Sequence, residues 1–236
     1  MREELSHENE IKAIKLLGSD FEKSLVIRKQ KNDKTKIQMI DAIQSEEIKS
    51  DIIANFVNDD KYKIEGLNKL KDYYYITNVI ISLNSDENRI NKIEEIDLLN
   101  KVEEYTKTRI IRSFNSDEIK MKMIDLLKFD SLKCDVIESF NNDENKIKML
   151  DTLKENKHKM KIIMSFKEDK NKIKVLNCLT EIEKTEVAIG FKDDASKLEI
   201  LNGLSKKYKI VTAISLKDEK KKIEILKDFI DSNCIN

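Results

Sequence analysis

The chain has 236 residues, no proline, four glycines and 38% charged residues, with 45 Lys plus Arg against 45 Asp plus Glu. The zero net charge excludes a general electrostatic attraction to nucleic acid or to an anionic membrane. Proline, the residue that most strongly breaks helices, is absent, and Lys, Glu, Ile and Leu are abundant, so the composition predicts an all-α protein.

One pattern of about 26 residues recurs along the whole chain. Each copy begins at a polar anchor, and apolar residues stand four, seven and ten positions after it, as on one side of a helix. The nine anchors are His7, Asp33, Asp60, Asp86, Asp117, Asp143, Asp169, Asp194 and Glu219. Such regular apolar columns, in a chain that is only 39% hydrophobic, predict stacked folded units and not a disordered chain.

Each copy has the pattern of two short helices, which we call helix A and helix B. In the copy at 141–166, Asn142 and Asp143 suit the start of helix A, because their side chains accept hydrogen bonds from free backbone amides. Helix B follows with the apolar residues Ile162, Ile163 and Phe166. Helices this short are marginal in water on their own, so we expect stacking on neighbouring copies to stabilise them.

One interval departs from this period. The step from Asp86 to Asp117 is 31 residues, whereas the other steps are 25 to 27. We expect the extra residues to lengthen both helices of that copy; an insertion can form a binding ridge, although a tolerated change of length is the commoner outcome. Three tyrosines at 73–75 lie just before it and can anchor a partner, with at least one of them facing the core.

A basic residue stands three positions after eight of the anchors. These residues are Lys36, Lys63, Arg89, Lys120, Lys146, Lys172, Lys197 and Lys222. We expect each aliphatic stem to pack while the charged end reaches toward the Asp column of the next copy. The pattern therefore favours a ladder of surface ion pairs between copies over a ligand site.

Two further columns are expected on the exposed side of helix A, with lysines five positions after the anchors and acids or amides eight positions after them. The candidate partner-binding residues are Lys122, Lys148, Lys174, Asp125, Asp151, Asn177 and Asn202. Polar side chains repeated in this way can hold a partner across several copies. A solvated surface without a partner is the interpretation that the pattern favours.

Positive charge is concentrated between Lys146 and Lys174, where ten lysines stand against four acidic residues. Such a stretch indicates an acidic protein segment or a nucleic acid as partner. The candidate contact residues are Lys146, Lys154, Lys157, Lys159 and Lys161. Because this stretch contains no arginine, it lacks the side chain that most often binds guanine and phosphate in bidentate fashion.

The sequence carries no motif of catalysis: it has no phosphate-binding glycine loop, no nucleophile elbow and no HExxH, and His7 and His158 are isolated. Cys134, Cys178 and Cys234 lack metal-ligand spacing and are expected to be free thiols. We therefore expect a protein that is not an enzyme and that uses no cofactor or metal. The polar N-terminus and the lack of an apolar run of about 20 residues predict a cytoplasmic protein with no signal peptide, transmembrane segment or membrane partner.

The two-helix unit resembles the α-solenoids of the tetratricopeptide, HEAT and armadillo repeat proteins over nearly the whole chain. The resemblance is one of architecture, because the unit is shorter than those repeats and the Trp and Pro of the tetratricopeptide signature are missing. It implies one elongated domain over 1–236, a right-handed α-solenoid of about nine two-helix repeats with no β-sheet.

The function expected of such an architecture is a non-catalytic scaffold that binds another protein or peptide along the solenoid face. Nucleic-acid binding through the basic stretch and structural self-assembly are the alternatives. Self-association is expected at the C-terminal end, where Phe229, Ile230 and Ile235 have no following helix B.

Overall fold

The computed structural model describes residues 2–231, and the side chains from residue 8 onward. Within this range the chain forms α-helices joined by short 3₁₀ turns and loops, and no strand occurs among these residues. The prediction of an all-α fold is confirmed. The chain groups into two compact units, which we call unit 1 (Met1–Met123) and unit 2 (Ile124–Asn236).

Unit 1 contains ten helices within the described range. They are α1 (Arg2–Ile14), α2 (Asp20–Lys29), α3 (Asp33–Met39), α4 (Glu46–Phe56), α5 (Asp60–Leu67), α6 (Tyr73–Ile81), α7 (Asp86–Glu95), α8 (Leu98–Lys101), α9 (Glu104–Ser113) and α10 (Asp117–Met123). The A helices α1, α3 and α5 pack side by side, and so do the B helices α2, α4, α6 and α9. Unit 1 is therefore built from two rows of neighbouring helices.

Unit 2 has the same alternation in its described part. Its helices are α11 (Asp130–Glu138), α12 (Asp143–Met149), α13 (Asn156–Met164), α14 (Asp169–Val175), α15 (Glu181–Ile189), α16 (Asp194–Leu201), α17 (Lys206–Ile214) and α18 (Glu219–Asp231). The B helices α11, α13, α15 and α17 contact one another in order, and the A helices α12, α14 and α16 do the same. From α11 to α17, each helix thus meets the equivalent helix about 26 residues away.

Side chains at the helix starts explain where the helices begin. Asn142 precedes α12, and its side-chain oxygen accepts a hydrogen bond from the amide of Glu144 at 2.8 Å, so the predicted start of this helix is confirmed. Thr180 and Glu183 form a reciprocal capping box at the start of α15. These contacts satisfy amides that have no partner within the helix.

The apolar columns form the core, as the period predicts. Seven positions after the anchors, the buried residues are Ile14, Ile40, Leu67, Ile93, Ile124, Leu150, Leu176 and Leu201. The B helices bury their paired apolar residues as well, among them Ile52 with Ile53 in unit 1 and Ile162 with Ile163 in unit 2. Burial of these columns is confirmed at each of the positions named.

The insertion in unit 1 agrees with its prediction in part. The A helix α7 has ten residues, against seven in α3 and eight in α5. The B helix α9 also has ten, within the nine to eleven of α2, α4 and α6, and the other extra residues form the separate short helix α8. Asp97 adopts a left-handed conformation with φ 50° between α7 and α8, which ends α7, and the side chain of Leu98 is fully buried. The expected lengthening is found in helix A and not in helix B, because Asp97 leaves the right-handed helical conformation and the following residues form α8.

Candidate functional site

The anchor carboxylates join successive copies of the repeat. The carboxylate of Asp33 accepts hydrogen bonds from the amides of Asn58 and Asp59, at 2.8 and 3.0 Å, just before the next helix A. The carboxylate of Asp194 binds the amides of Lys217 and Asp218 in the same way, and these bonds lower its pKa. The anchor column therefore has a structural role in both units.

The basic column is buried from Lys36 to Lys197, and two of its lysines illustrate bonds within one copy. The ammonium of Lys63 donates to the carbonyl oxygen of Ser82 at 2.6 Å, and that of Lys197 donates to Ser215 at the same distance. Burial lowers the pKa of Lys63, and the nearby carboxylate of Asp60 opposes this effect. These lysines neutralise the C-terminal ends of helices B, where the helix dipole is negative.

Two expectations for this column are corrected. Lys36 and Lys172 pair with Asp33 and Asp169 of their own copies, and not with the Asp of the next copy. Lys146, a candidate contact for nucleic acid, is only 4% exposed, and its ammonium lies 3.1 Å from the Ser165 hydroxyl. The sequence pattern did not reveal this, because a lysine between apolar positions is compatible with a surface location and with a buried one.

The predicted columns on helix A lie at the surface. Exposed side chains are found at Lys122, Lys148, Lys174, Asp125, Asp151, Asn177 and Asn202. Lys174 lies 3.3 Å from the side-chain oxygen of Asn171, and Asp125 lies 3.8 Å from the ammonium of Lys133. Partner binding by these columns stays a prediction, because exposure alone distinguishes a binding surface from a core but not from a solvated surface.

Acidic neighbours neutralise part of the basic stretch. Lys161 pairs with Asp135 at 3.1 Å and with Glu138 at 3.0 Å, and these carboxylates raise its pKa to about 12. Lys157 pairs with Glu155 at 2.6 Å.

Two other candidate contacts of the basic stretch differ in their exposure. Lys154 is exposed, whereas Lys159 is half-buried. With Lys146 buried and Lys157 and Lys161 paired, the positive charge that this stretch offers a partner is lower than the count of lysines predicts.

The structure presents a surface that the sequence analysis missed, on the B helices of unit 2. The last residues of α13, α15 and α17 are Met164, Ile189 and Ile214, and their side chains are 46%, 45% and 58% exposed. We call these three residues the apolar row. Each stands two positions before a buried residue of the core column, and this shared offset was the signal available in the sequence.

Neighbouring members of the apolar row belong to helices in contact, since α13 packs on α15 and α15 on α17. A Cβ atom added to Gly190 would lie 3.3 Å from the terminal methyl of Met164, so the small residue at this position lets Met164 lie across the end of the next helix. Ile182 and Val211 are also exposed on α15 and α17 and enlarge the apolar surface. Exposed apolar residues grouped in this way are typical of contact surfaces.

Lysines border the apolar row. Lys192 and Lys217 follow its members by three residues, and their ammonium groups donate to the backbone carbonyls of Lys167 and Lys192 at 3.0 and 2.8 Å. Lys167 donates in the same way to Asn141. The lysines are exposed even so, and they give this border of the apolar row a positive charge.

The B helices of unit 1 present a different surface. A groove of about 650 Å³ between α4 and α6 is lined by Glu47, Asp51, Tyr74 and Tyr75, among others. The two tyrosine rings meet edge to face with centroids 5.4 Å apart, and Asp51 pairs with Arg28 at 2.8 Å. This surface is polar and aromatic where that of unit 2 is aliphatic.

The described residues contain no group of three or more His, Cys, Asp or Glu side chains placed to hold a metal ion. Cys134 and Cys178 are free thiols, as predicted, while Cys234 lies outside the described residues. Across 2–231, none of the helices combines the length and the apolar character needed to cross a bilayer.

Comparison with known proteins finds no match, either among protein-family models or among curated proteins and solved structures.

Proposed function

We propose that this chain is a non-catalytic protein-interaction scaffold, a right-handed α-solenoid of about nine repeats that forms one elongated domain. The partner binds along the B helices, with its main contact on the apolar row of unit 2. The observation that supports this role is the repetition of a large, half-exposed apolar side chain at the same position of three neighbouring helices.

The apolar row favours contact with another protein on energetic grounds. Covering the exposed half of one such side chain is worth roughly 1 kcal/mol, so three of them supply a useful part of a protein–protein contact. The lysines beside the row favour partners with acidic groups near their apolar residues. The competing surface is the lysine column on the A helices, formed by Lys122, Lys148 and Lys174. It differs from the apolar row in that it offers a partner only polar contacts.

Pull-down from a native lysate with two matched triple variants tests the surface. Replacing Met164, Ile189 and Ile214 by Glu removes the apolar row, whereas replacing Lys122, Lys148 and Lys174 by Glu alters only the A side. We expect the first variant to lose the proteins that wild type retains and the second to keep them. The opposite result would move the binding surface to helix A, and no retained protein in any sample would count against a scaffold. Circular dichroism checks that both variants are folded.

Self-association is the second candidate, because α18 buries none of its side chains and exposes Ile223 and Ile230. A single monomer mass in light scattering at high protein concentration would exclude it. Nucleic-acid binding ranks lower, since Lys157 and Lys161 are paired with acids. A gel-shift titration at low salt that shows no binding would exclude that role.

A further inference from the structure

The insertion of unit 1 opens a cleft beside α8, which we call the α8 cleft. Its volume is about 430 Å³, within the range usual for ligand sites. Residues at the end of α5, the start of α6 and the end of α7 line it, together with Lys101 of α8. The cleft thus lies at the one step in the chain where the regular period is broken.

The floor of the α8 cleft is apolar. Leu67, Leu70 and Ile76 are core residues that retain a small exposed area of 6–9%, and Ile64 and Ile96 line the cleft beside them. An apolar group placed on this floor would be removed from water without displacing any side chain of the core. The floor therefore suits one or two aliphatic or aromatic side chains.

The rim of the cleft carries an excess of positive charge. Glu95 is the only acid among the lining residues, and it pairs with Lys92. Lys101 donates to the carbonyl oxygen of Ile96 at 2.6 Å and lies 5.1 Å from the ring centroid of Tyr73. Lys71 is exposed, and its backbone amide donates at 3.0 Å to the carboxylate of Glu46, a residue outside the cleft lining. Among the residues that line the cleft, the three lysines Lys71, Lys92 and Lys101 thus stand against the single acid Glu95.

We propose that the α8 cleft binds a segment of a partner protein in which a large apolar side chain stands next to an aspartate or glutamate. The apolar side chain lies on the floor, and the carboxylate is held between the ammonium groups of Lys71 and Lys101. Asn68 on the rim has a side-chain amide that can donate to and accept from a peptide backbone. A free fatty acid would leave this amide without a use, and for this reason we assign the site to a peptide.

Methyl-labelled full-length protein and two matched peptides test this assignment by NMR. Both are capped tetrapeptides with Leu and Phe at the centre; one has glutamates at its ends and the other has lysines. We expect the acidic peptide to shift the methyl signals of Leu70, Ile76 and Ile96 in a saturable way, and the basic peptide to leave them unchanged. Equal effects of the two peptides, or shifts elsewhere in the protein, would overturn the assignment.

A charge reversal at the rim provides the matched variants. Lys71→Glu should weaken binding of the acidic peptide by about fivefold, as expected for a surface ion pair. Lys34→Glu, at an exposed lysine of α3 outside the cleft, should leave the affinity unchanged. An unchanged affinity of the Lys71 variant would contradict the proposed contact.

Decanoate serves as a third probe, because it carries the same chemistry without a peptide backbone. Binding of decanoate together with no binding of the acidic peptide would overturn the choice of a protein segment. The cleft belongs to unit 1 and the apolar row to unit 2, and binding at each site is tested with its own variants. Either site can therefore fail its test while the other stands.

Discussion

Units 1 and 2 form the same hydrogen bond between successive copies with different side chains. In unit 1, the side-chain amide of Asn84 donates to the backbone carbonyl of Asn58 at 3.1 Å. At the equivalent place in unit 2, the ammonium of Lys192 donates to the carbonyl of Lys167 at 3.0 Å. The bond between copies is the same, but lysine adds a positive charge to the surface. Contacts with the backbone fix the stacking and leave the donor free to vary, so the two units share an interior and differ in their surfaces.

The largest expected loss of stability comes from substitutions in the core. These substitutions also test whether the two units unfold together. Phe114 in unit 1 and Phe166 in unit 2 are buried at equivalent positions. Replacing either one by Ala should lower the free energy of unfolding by about 3–5 kcal/mol, through lost burial and the cavity left behind. Urea denaturation followed by circular dichroism measures the loss. One shared transition would show that the units unfold together, whereas two transitions would show separate stabilities; a loss below about 1 kcal/mol would contradict close packing.

The next effect concerns the anchor carboxylates. Asp60→Ala leaves the amides of Asn84 and Ser85 without their acceptor and should cost about 1–3 kcal/mol. Asp194→Ala, the matched change in unit 2, should cost less, because Asp60 also accepts a bond from the side chain of Asn88. Asp41→Ala removes a surface pair with Lys69 and serves as a control with an effect within about 0.5 kcal/mol. Equal costs for Asp60 and Asp41 would contradict a structural role of the anchors.

The same carboxylates predict how stability depends on pH. Burial raises the pKa of Asp60, but hydrogen bonds from Asn84 and Asn88 outweigh it and leave the pKa below its ordinary value of 3.8. Backbone bonds from Lys217 lower the pKa of Asp194 in the same direction. A lowered pKa means that the stabilisation is fully present above about pH 4 and is lost as the pH falls through the folded-state value. Melting temperatures between pH 7 and pH 2 should therefore drop mainly below pH 4, and the Asp60→Ala variant should lose less over this interval than wild type.

A smaller effect is expected at the turn that exists only in unit 1. Asp97 is the only non-glycine residue with positive φ in the described part of the chain, and such a conformation costs energy for any residue with a Cβ. Asp97→Gly should stabilise unit 1 by about 0.5 kcal/mol, because glycine adopts this conformation freely. Asn91→Gly, within α7, should instead lower stability. Thermal melts measure both variants. If the two melting temperatures shifted in the same direction, relief of strain at Asp97 would be excluded.

The smallest effect is expected from exchanging the donors that distinguish the units. Asn84→Lys and Lys192→Asn should each change the free energy of unfolding by less than about 0.5 kcal/mol, because either side chain can reach the carbonyl. Urea titrations at low and high salt would detect a difference. A loss above about 1 kcal/mol would show that the donor is specific to its unit.

Sequence periodicity predicted the interior because a buried helix side repeats with the helix period, as at Ile40 and Leu150. It could not separate the apolar row from the core, since Ile189 is as hydrophobic as a buried residue and only the positions of neighbouring helices show that 45% of it stays exposed. The left-handed turn at Asp97 was equally out of reach, because no glycine marks it in the sequence. The partner of each buried lysine also depends on which helix end lies within reach of its ammonium.

The hydrogen bonds between the anchor carboxylates and the loops that join the repeats have a consequence for proteolysis. Lys167, Lys192 and Lys217 lie in these loops, where trypsin would be expected to cut a chain so rich in lysine. A protease needs its target backbone extended and free, but the amides of all three residues are hydrogen-bonded to the anchor carboxylates Asp143, Asp169 and Asp194. Cleavage at these sites therefore requires local opening of the joint between two copies, so the folded chain resists trypsin at places that look accessible in its sequence.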